Sequence, residues 1–346
     1  MSWRTYWTSL IVSIAVIAAV LFVAVWVINP YGNLPYSPSF DRAPIATNQR
    51  YSYPSIARDP AFDSLVIGTS TARLLKPGIL NEGFGAHFAN LSLNSGTPYE
   101  QVRLGTLFAK NHPGQRVLIV GLDTVWCDVG ASEKYTFRAF PEWMYDANPW
   151  NDLPNMIEFR TFEDTVRQAG YLIGVRSGRY GRDGYADFLP PLKKYDLARA
   201  RENIYGPAGP ALRTVSSSPN RSQRFDRQKW AFESHRLLDE LLGAVPRDAQ
   251  KVLVFVPYHK HLHGLPNTEQ GAKWDECKKR ISAIARRHLN TTVLDFMIDS
   301  PITSLDTNYW DPLHYTNEVA DRFARLIAGG ARGEPATNGE YRILMP

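Results

Sequence analysis

Cysteine is nearly absent: Cys127 and Cys277 are the two in the whole chain. That count excludes a small disulfide-dense secreted scaffold and any zinc site built from cysteines. An excess of one charge is lacking as well. Lys and Arg number 39 against 34 Asp and Glu, a net charge of +5. The surplus is too small to argue for nucleic acid, though it is compatible with an anionic surface or polymer. No Gly-x-Gly-x-x-Gly follows any strand-like run, and Gly68-Thr69-Ser70-Thr71 is not a P-loop, so neither a nucleotide nor another cofactor is expected. What is present is an ordinary globular balance, 44% apolar and 21% charged over 346 residues, which excludes disordered, collagen-like and coiled-coil classes. Nine Trp and 17 Tyr are many for this length.

One long hydrophobic run stands at the N-terminus. From Leu10 to Ile28, Ser13 is the only polar side chain. At about 1.5 Å per residue such a helix crosses the hydrocarbon core, and a soluble helix has no reason to be apolar on every face. Trp7 and Trp26 lie near its ends, where indoles favour the interface, and Asn29-Pro30 stops it. Val25-Trp26-Val27 offers no small-x-small cleavage site, which argues for an uncleaved anchor rather than a signal peptide. Arg4 precedes the span and no basic residue follows until Arg42. The positive-inside rule therefore puts residues 1–9 in the cytoplasm and the body outside it, periplasmic in a bacterium with two membranes. Residues 29–60, rich in Pro, Tyr, Asn and Ser without a sustained period, are read as an extracytoplasmic tether.

Beyond the tether, residues 61–346 alternate strand and helix signals. Strands are expected near Asp63–Gly68, His87–Leu93, Arg116–Leu122, Val252–Val256 and Thr292–Phe296. Thr97, Pro98 and Glu100 make a capping box for one helix. Further helices are expected from Asp226 through Trp230 to Val245, around Trp274 and Ile281, and from Thr316 to a Gly329-Gly330 stop. Cys277 shares a stripe with Trp274, Ile281 and Ile284; whether it pairs with Cys127 is left open. The pattern predicts an α/β fold with a parallel sheet of about five strands. Residues 128–225 break the alternation and are read as an inserted subdomain or lid. Its aromatics, among them Phe140, Trp143, Tyr145, Trp150 and Tyr185, suit a small local core or a stacking platform for sugar rings. The basic stretch at its end, with Arg213, Arg221, Arg224 and Arg227, suits a solvated face or contact with an acidic glycan or lipid headgroup.

Ligands of open α/β sheets bind beyond the carboxyl ends of the strands. After the first strand comes Ser70, in a tight turn that suits a nucleophile. Before the last helix comes Asp311-Pro312-Leu313-His314, in which the carboxylate can hold the imidazole in the tautomer that accepts a proton from serine. A parallel sheet brings both to one edge. Arg73, Tyr309 and Trp310 flank them and are candidates to shape a pocket. His259, His261 and His263 alternate just past the fourth strand, where period two would put them on one face. Ligands so close together need carboxylates from elsewhere, so no metal is expected and a polar cleft rim is the preferred reading.

Gly68-Thr69-Ser70, Asn90-Leu91-Ser92-Leu93-Asn94-Ser95-Gly96 and Asp311-x-x-His314 resemble the first, second and fifth blocks of the SGNH (GDSL-like) hydrolases. The resemblance covers roughly residues 60–125 and 250–330. It implies a three-layer α/β/α domain with Ser70 as nucleophile, His314 as general base and Asp311 as its orienter. The N–H groups of Ser70 and Gly96 would be oxyanion donors. The family's third block, Gly-x-Asn, is Gly121-Leu122-Asp123 here, and an ionised carboxylate in an oxyanion hole opposes the developing charge. Asp123 would then be protonated or turned elsewhere, or Asn94 would supply the donor. The single anchor and the altered blocks resemble a narrower branch, the alginate O-acetylation proteins and DltD. That resemblance implies O-acyl transfer to an envelope polysaccharide through an acyl-enzyme, beside a multi-spanning membrane O-acyltransferase, in the bacterial inner membrane. The alternatives are a glycan esterase or deacetylase, and a non-catalytic glycan-binding assembly protein with the same fold.

Overall fold

The computed structural model describes residues 2–130, 133–207, 209–210, 225–266 and 268–346. The described helices are α1 (Trp3–Ile28), α2 (Gln49–Ile56), α3 (Pro77–Phe84), α4 (Pro98–Asn111), α5 (Thr124–Cys127), α6 (Asp152–Asn155), α7 (Phe159–Leu172), α8 (Leu197–Tyr205), α9 (Ser234–Ala244), α10 (Glu269–Ala285) and α11 (Asn317–Ala331). The strands are β1 (Ser64–Ile67), β2 (Phe88–Asn90), β3 (Val117–Leu122), β4 (Gln250–Phe255), β5 (Thr291–Asp295) and β6 (Arg342–Met345). They form two compact units. One takes the chain up to Ile56 with Ala139–Gly184, the other Ala57–Arg138 with Tyr185–Pro346.

In the first unit α1 contains the predicted span. Among the described residues it is the one helix long and apolar enough to cross a membrane. Asn29 ends it in the left-handed region at φ 45°, where its side chain takes over: Nδ2 donates to Ser37 Oγ (2.8 Å) and Oδ1 accepts from Asn33 N–H (3.2 Å). The tether reading of 29–60 is corrected here. Tyr31, Leu34, Ile45, Tyr51 and Tyr53 are buried. Tyr53 donates to the Gly184 carbonyl (3.0 Å), and Tyr145 to that of Arg50 (2.9 Å). A segment with no helical or strand period can still be a packing element when its aromatics find a partner, and its partner lies roughly a hundred positions or more along the chain. The predicted insertion is therefore divided: 139–184 folds with the N-terminal segment, and 185–207 belongs to the unit with the sheet. Phe140 stacks on buried Tyr145 (4.3 Å between centroids) in a local core, whereas Trp150 is 66% exposed. Arg213, Arg221 and Arg224 lie outside the described residues, while Arg227 opens a 3-10 turn, Arg227–Lys229.

The second unit is built on a six-stranded sheet in the order β2-β1-β3-β4-β5-β6, parallel except for β6. The five expected strands are all present. The antiparallel β6, which pairs Arg342 with Asp295, gave no signal because four residues at a chain end carry no readable alternation. β1 and β3 are buried along their whole length, as strands covered on both faces must be. The order reverses at β1. With right-handed crossovers this puts α3 on one face and α4, α9 and α10 on the other. α11 joins α3, and α9 packs against both α4 and α10. The capping box of α4 forms as predicted: Thr97 Oγ1 accepts from Glu100 N–H, and Glu100 Oε2 from Thr97 N–H (3.0 Å).

Two helix limits differ from expectation. Trp230 follows the 3-10 turn and is not on α9, which begins at Ser234. α11 runs through Gly329-Gly330 instead of stopping there, since at Gly330 a Cβ would stand 2.9 Å from the Leu294 methyls. These glycines serve close packing, not termination.

Candidate active site

The reversal in strand order lies between β1 and β3, and Ser70 sits in the turn just beyond β1. Gly68 makes that turn possible. A Cβ there would lie 2.5 Å from the Ala72 Cβ, and one on Gly121 would lie 2.8 Å from the same atom. Two glycines and an alanine thus let the β1 turn press against the end of β3. The Thr69 carbonyl accepts from Arg73 N–H (3.2 Å), closing the turn around Ser70.

Ser70 Oγ stands 2.8 Å from His314 Nε2, and His314 Nδ1 stands 2.7 Å from Asp311 Oδ2. Asp311 Oδ1 accepts the N–H groups of Leu313 (2.8 Å) and His314 (2.9 Å), so the carboxylate also shapes the loop it sits in. Burial pushes the Asp311 carboxyl up. The hydrogen bond and charge of His314 with the two N–H groups outweigh it, holding the group below the usual carboxylate range. An ionised Asp311 fixes the proton on His314 Nδ1 and leaves the Nε2 lone pair for the Ser70 hydroxyl.

The loop from Trp310 to His314 is fastened at both ends. Tyr309 and Tyr315 are fully buried and pair across it as an antiparallel bridge. The Tyr309 hydroxyl donates to the Pro257 carbonyl beyond β4 (2.7 Å), and the Tyr315 hydroxyl to the Thr71 carbonyl beyond β1 (2.7 Å). Burial raises both phenols, which therefore remain donors at neutral pH. His259 N–H donates to the Pro312 carbonyl (2.9 Å), a third tie.

The proposed oxyanion residues are redistributed. Gly96 N–H donates to the Leu93 carbonyl (3.0 Å), closing a turn in which Ser95 takes φ 50°; this engagement corrects its expected role as an oxyanion donor. Asn94, in the same turn, accepts through Oδ1 from Arg73 Nη1 (2.5 Å). Arg73 is 5% exposed, and its guanidinium lies 4.6 Å from the centroid of the Phe188 ring. Phe188 in turn meets the His314 ring edge-on at 5.6 Å. No signal in the sequence marked Phe188, whose neighbour Asp187 is held by Asn317 Nδ2 (2.8 Å).

Asp123 is buried, and both its oxygens are engaged. Oδ2 accepts the Thr69 hydroxyl, and Oδ1 accepts Val125 N–H (3.2 Å) as the cap of α5. Burial pushes its carboxyl up to about 6, against the opposing effect of these hydrogen bonds. Asp123 thus braces the residue preceding Ser70. α5 itself is fastened to α10 by a disulfide between Cys127 and Cys277, the pairing left open by the sequence.

The three histidines do not share a strand face, because the chain turns into a 3-10 helix at Lys260–Leu262. His259 is buried with Nε2 3.2 Å from Asp306 Oδ1, and His263 Nε2 donates to the Tyr258 carbonyl (3.0 Å). Burial lowers both imidazoles, that of His263 to about 4. Asp306 also accepts from Tyr205 (2.6 Å) and Arg201 (2.7 Å), so this group ties α8 to the site. Among the described residues no cluster of three or more His, Cys, Asp or Glu is arranged to hold a metal. A cavity of about 580 Å³ between α10 and β6, lined in part by Trp274, Lys279, Arg286 and Arg342, contains no residue of the triad.

Comparison with models of known protein families and with curated proteins found no match to this chain.

Proposed function

We propose that the protein is a membrane-anchored serine acyl-transfer enzyme of SGNH type, acting outside the cytoplasm on hydroxyl groups of an envelope polysaccharide. The observation that carries this reading is the continuous Ser70–His314–Asp311 hydrogen-bond chain at 2.8 and 2.7 Å. Ser70 Oγ attacks the acyl carbonyl carbon while its proton passes to His314 Nε2 and the carbonyl electron pair moves onto oxygen. Collapse expels the donor alcohol or thiol, which takes the proton from His314, and leaves the acyl group on Ser70. The acceptor hydroxyl then gives its proton to His314, attacks the acyl-enzyme, and the proton returns to Ser70. Ser70 N–H is one oxyanion donor, and the Asn94 carboxamide, oriented through its oxygen by Arg73, is the second.

The disulfide supports an oxidising compartment, in agreement with Arg4 in the first turn of α1, ahead of its apolar run. A non-catalytic glycan-binding role drew its motive from a carboxylate at position 123. With both oxygens engaged by Thr69 and Val125, that motive is weakened. Hydrolysis uses the same three residues and is the second reading, favoured by the partial exposure of His314 and Asp311, 21% and 35% of their side chains. A multi-spanning membrane O-acyltransferase is the partner we propose as acyl source.

The test is an activated acyl ester supplied with and without an oligosaccharide acceptor. We expect an acyl adduct on Ser70 by mass spectrometry, discharged faster by the acceptor, and no adduct in Ser70→Ala. Acyl release at the same rate with no acceptor would favour the esterase. Unchanged turnover in Ser70→Ala would remove the enzyme reading.

A further inference from the structure

α7 is amphipathic in the inverted sense. The face turned into its own unit is polar: Thr161, Asp164, Thr165 and Gln168 are buried. Thr161, Asp164 and Thr165 have hydrogen-bond partners there, and the Gln168 amide faces the Ala43 backbone. Tyr31 donates to Asp164 Oδ2 (3.1 Å), Arg167 Nη1 to Asp164 Oδ1 (2.7 Å), and Thr165 Oγ1 to the Thr161 carbonyl (2.7 Å). The opposite face carries Phe159 and Val166, with Ile173 at the C-cap, spaced seven apart and therefore aligned; they are 78, 67 and 74% exposed, and exposed Glu163 marks the edge of the stripe. Val175, just past the helix, is 71% exposed. An ordinary surface helix buries its apolar stripe. This arrangement holds in water only at a cost, because contiguous exposed apolar surface marks contact with a membrane or another chain.

The position of α7 selects the membrane. It packs against α1, whose residues from Trp3 to Val23 are exposed while its last turn is half-buried and Val25 fully buried. That exposed stretch amounts to roughly 30 Å of helix, the thickness of the hydrocarbon core. The packed turn is therefore where α1 leaves the bilayer, and α7 lies at that level. Arg176 and Arg179, both exposed just beyond the helix, suit anionic headgroups.

We infer that α7 lies in the bilayer interface on the non-cytoplasmic side, with Phe159, Val166 and Ile173 inserted among the lipids, so that the first unit has a second membrane contact beside its anchor. The inference rests on the reading of α1 as a membrane span.

The test uses full-length protein carrying Val166→Cys, labelled without reductant by a polarity-sensitive fluorophore and reconstituted into phosphatidylethanolamine–phosphatidylglycerol vesicles. Phe159→Cys is a second probe on the same stripe, and Val12→Cys, in the middle of α1, is the reference. Lipids bearing a nitroxide near the headgroup should quench the Val166 and Phe159 labels at least about twofold, while aqueous iodide reaches them poorly, and lipids bearing it deep in the acyl chain should quench the Val12 label. Labels open to iodide and untouched by nitroxide lipid, with the Val12 label quenched, would overturn the inference and leave the anchor standing. Failure at Val12 as well would overturn both. Labels shielded from both quenchers and cross-linking to another polypeptide would overturn it in favour of a protein partner.

Discussion

The Tyr315 hydroxyl donates to the Thr71 carbonyl over 2.7 Å, joining the residue that follows His314 to the residue that follows Ser70. The two halves of the triad, 244 positions apart, are thereby fastened to each other by a buried bond that takes no part in proton transfer. Tyr315→Phe keeps the ring and removes the donor, leaving a buried carbonyl without its partner. We expect a stability loss of about 1–3 kcal/mol, read as a fall in melting temperature. We also expect kcat to fall while KM holds, since the change loosens Ser70 against His314 and not the substrate.

Asp311→Asn tests the tautomer argument. The amide keeps the shape of the loop yet offers its N–H₂ to His314 as readily as its oxygen, so Nε2 loses its standing as the acceptor. A fall in kcat of about 10³–10⁴-fold is expected with little change in melting temperature. Formation of the acyl-enzyme at the wild-type rate, followed by rapid kinetics, would count against Asp311 as the orienter of His314.

The parts of this site that were legible in the sequence are those set by short-range rules. Val117–Leu122 reads as a buried strand because every position is apolar, and Thr97-x-x-Glu100 reads as a capping box because the spacing itself makes the bonds. Ser70 and His314 were reachable because a parallel sheet returns every strand end to one edge. Phe188 was not, since its place against His314 and Arg73 depends on a chain path with no periodic signal. The burial of 29–56 was hidden for the same reason: aromatic residues without a period declare no face until their distant partners are known. Gly96 misled in another way. Its glycine answers the crowding of a turn, where a Cβ would stand 2.8 Å from that of Leu93, and not a need to expose its N–H.

Asp123 predicts a pH dependence of stability. Its folded carboxyl sits at about 6 against an ordinary 3.8, so between these values the native state holds the proton more firmly than the unfolded chain. Stability from this group is fully present below about pH 4 and declines as pH rises through 6, by roughly 2–3 kcal/mol. The Asp123→Asn variant carries no titrating group at this position, and its amide can still accept a hydrogen bond from Val125 N–H and donate one to Thr69 Oγ1. The melting temperature of wild type minus that of the variant should therefore be more favourable at pH 4.5 than at pH 7.5. A difference that is flat across this range would mean that Asp123 ionises as an ordinary surface carboxylate.

The disulfide joins residues 150 positions apart. In the chain-entropy view, a link over that separation disfavours the unfolded state by about 5 kcal/mol, an upper figure for the native effect. Replacing both cysteines by serine should lower the melting temperature clearly. The first part to loosen should be α5, whose cap is Asp123, so hydrogen exchange over Thr124–Cys127 should rise before that of β3.

Arg73 is expected to act on catalysis through Asn94. Its guanidinium is planar, so it can lie against the Phe188 ring while one nitrogen holds Asn94 Oδ1 at 2.5 Å and keeps the Asn94 oxygen turned toward Arg73. Lysine keeps the charge without the plane or the fork. Arg73→Lys should therefore lower kcat by about 10–100-fold, less than the roughly 10²–10³-fold expected when Asn94→Ala removes an oxyanion donor outright. The double variant decides between direct and indirect action. If Arg73 works by aiming Asn94, then once Asn94 is alanine the second substitution has nothing left to misalign, and the pair should cost no more than Asn94→Ala alone. Additive losses would instead place Arg73 in contact with the substrate, and KM would then rise along with the fall in kcat.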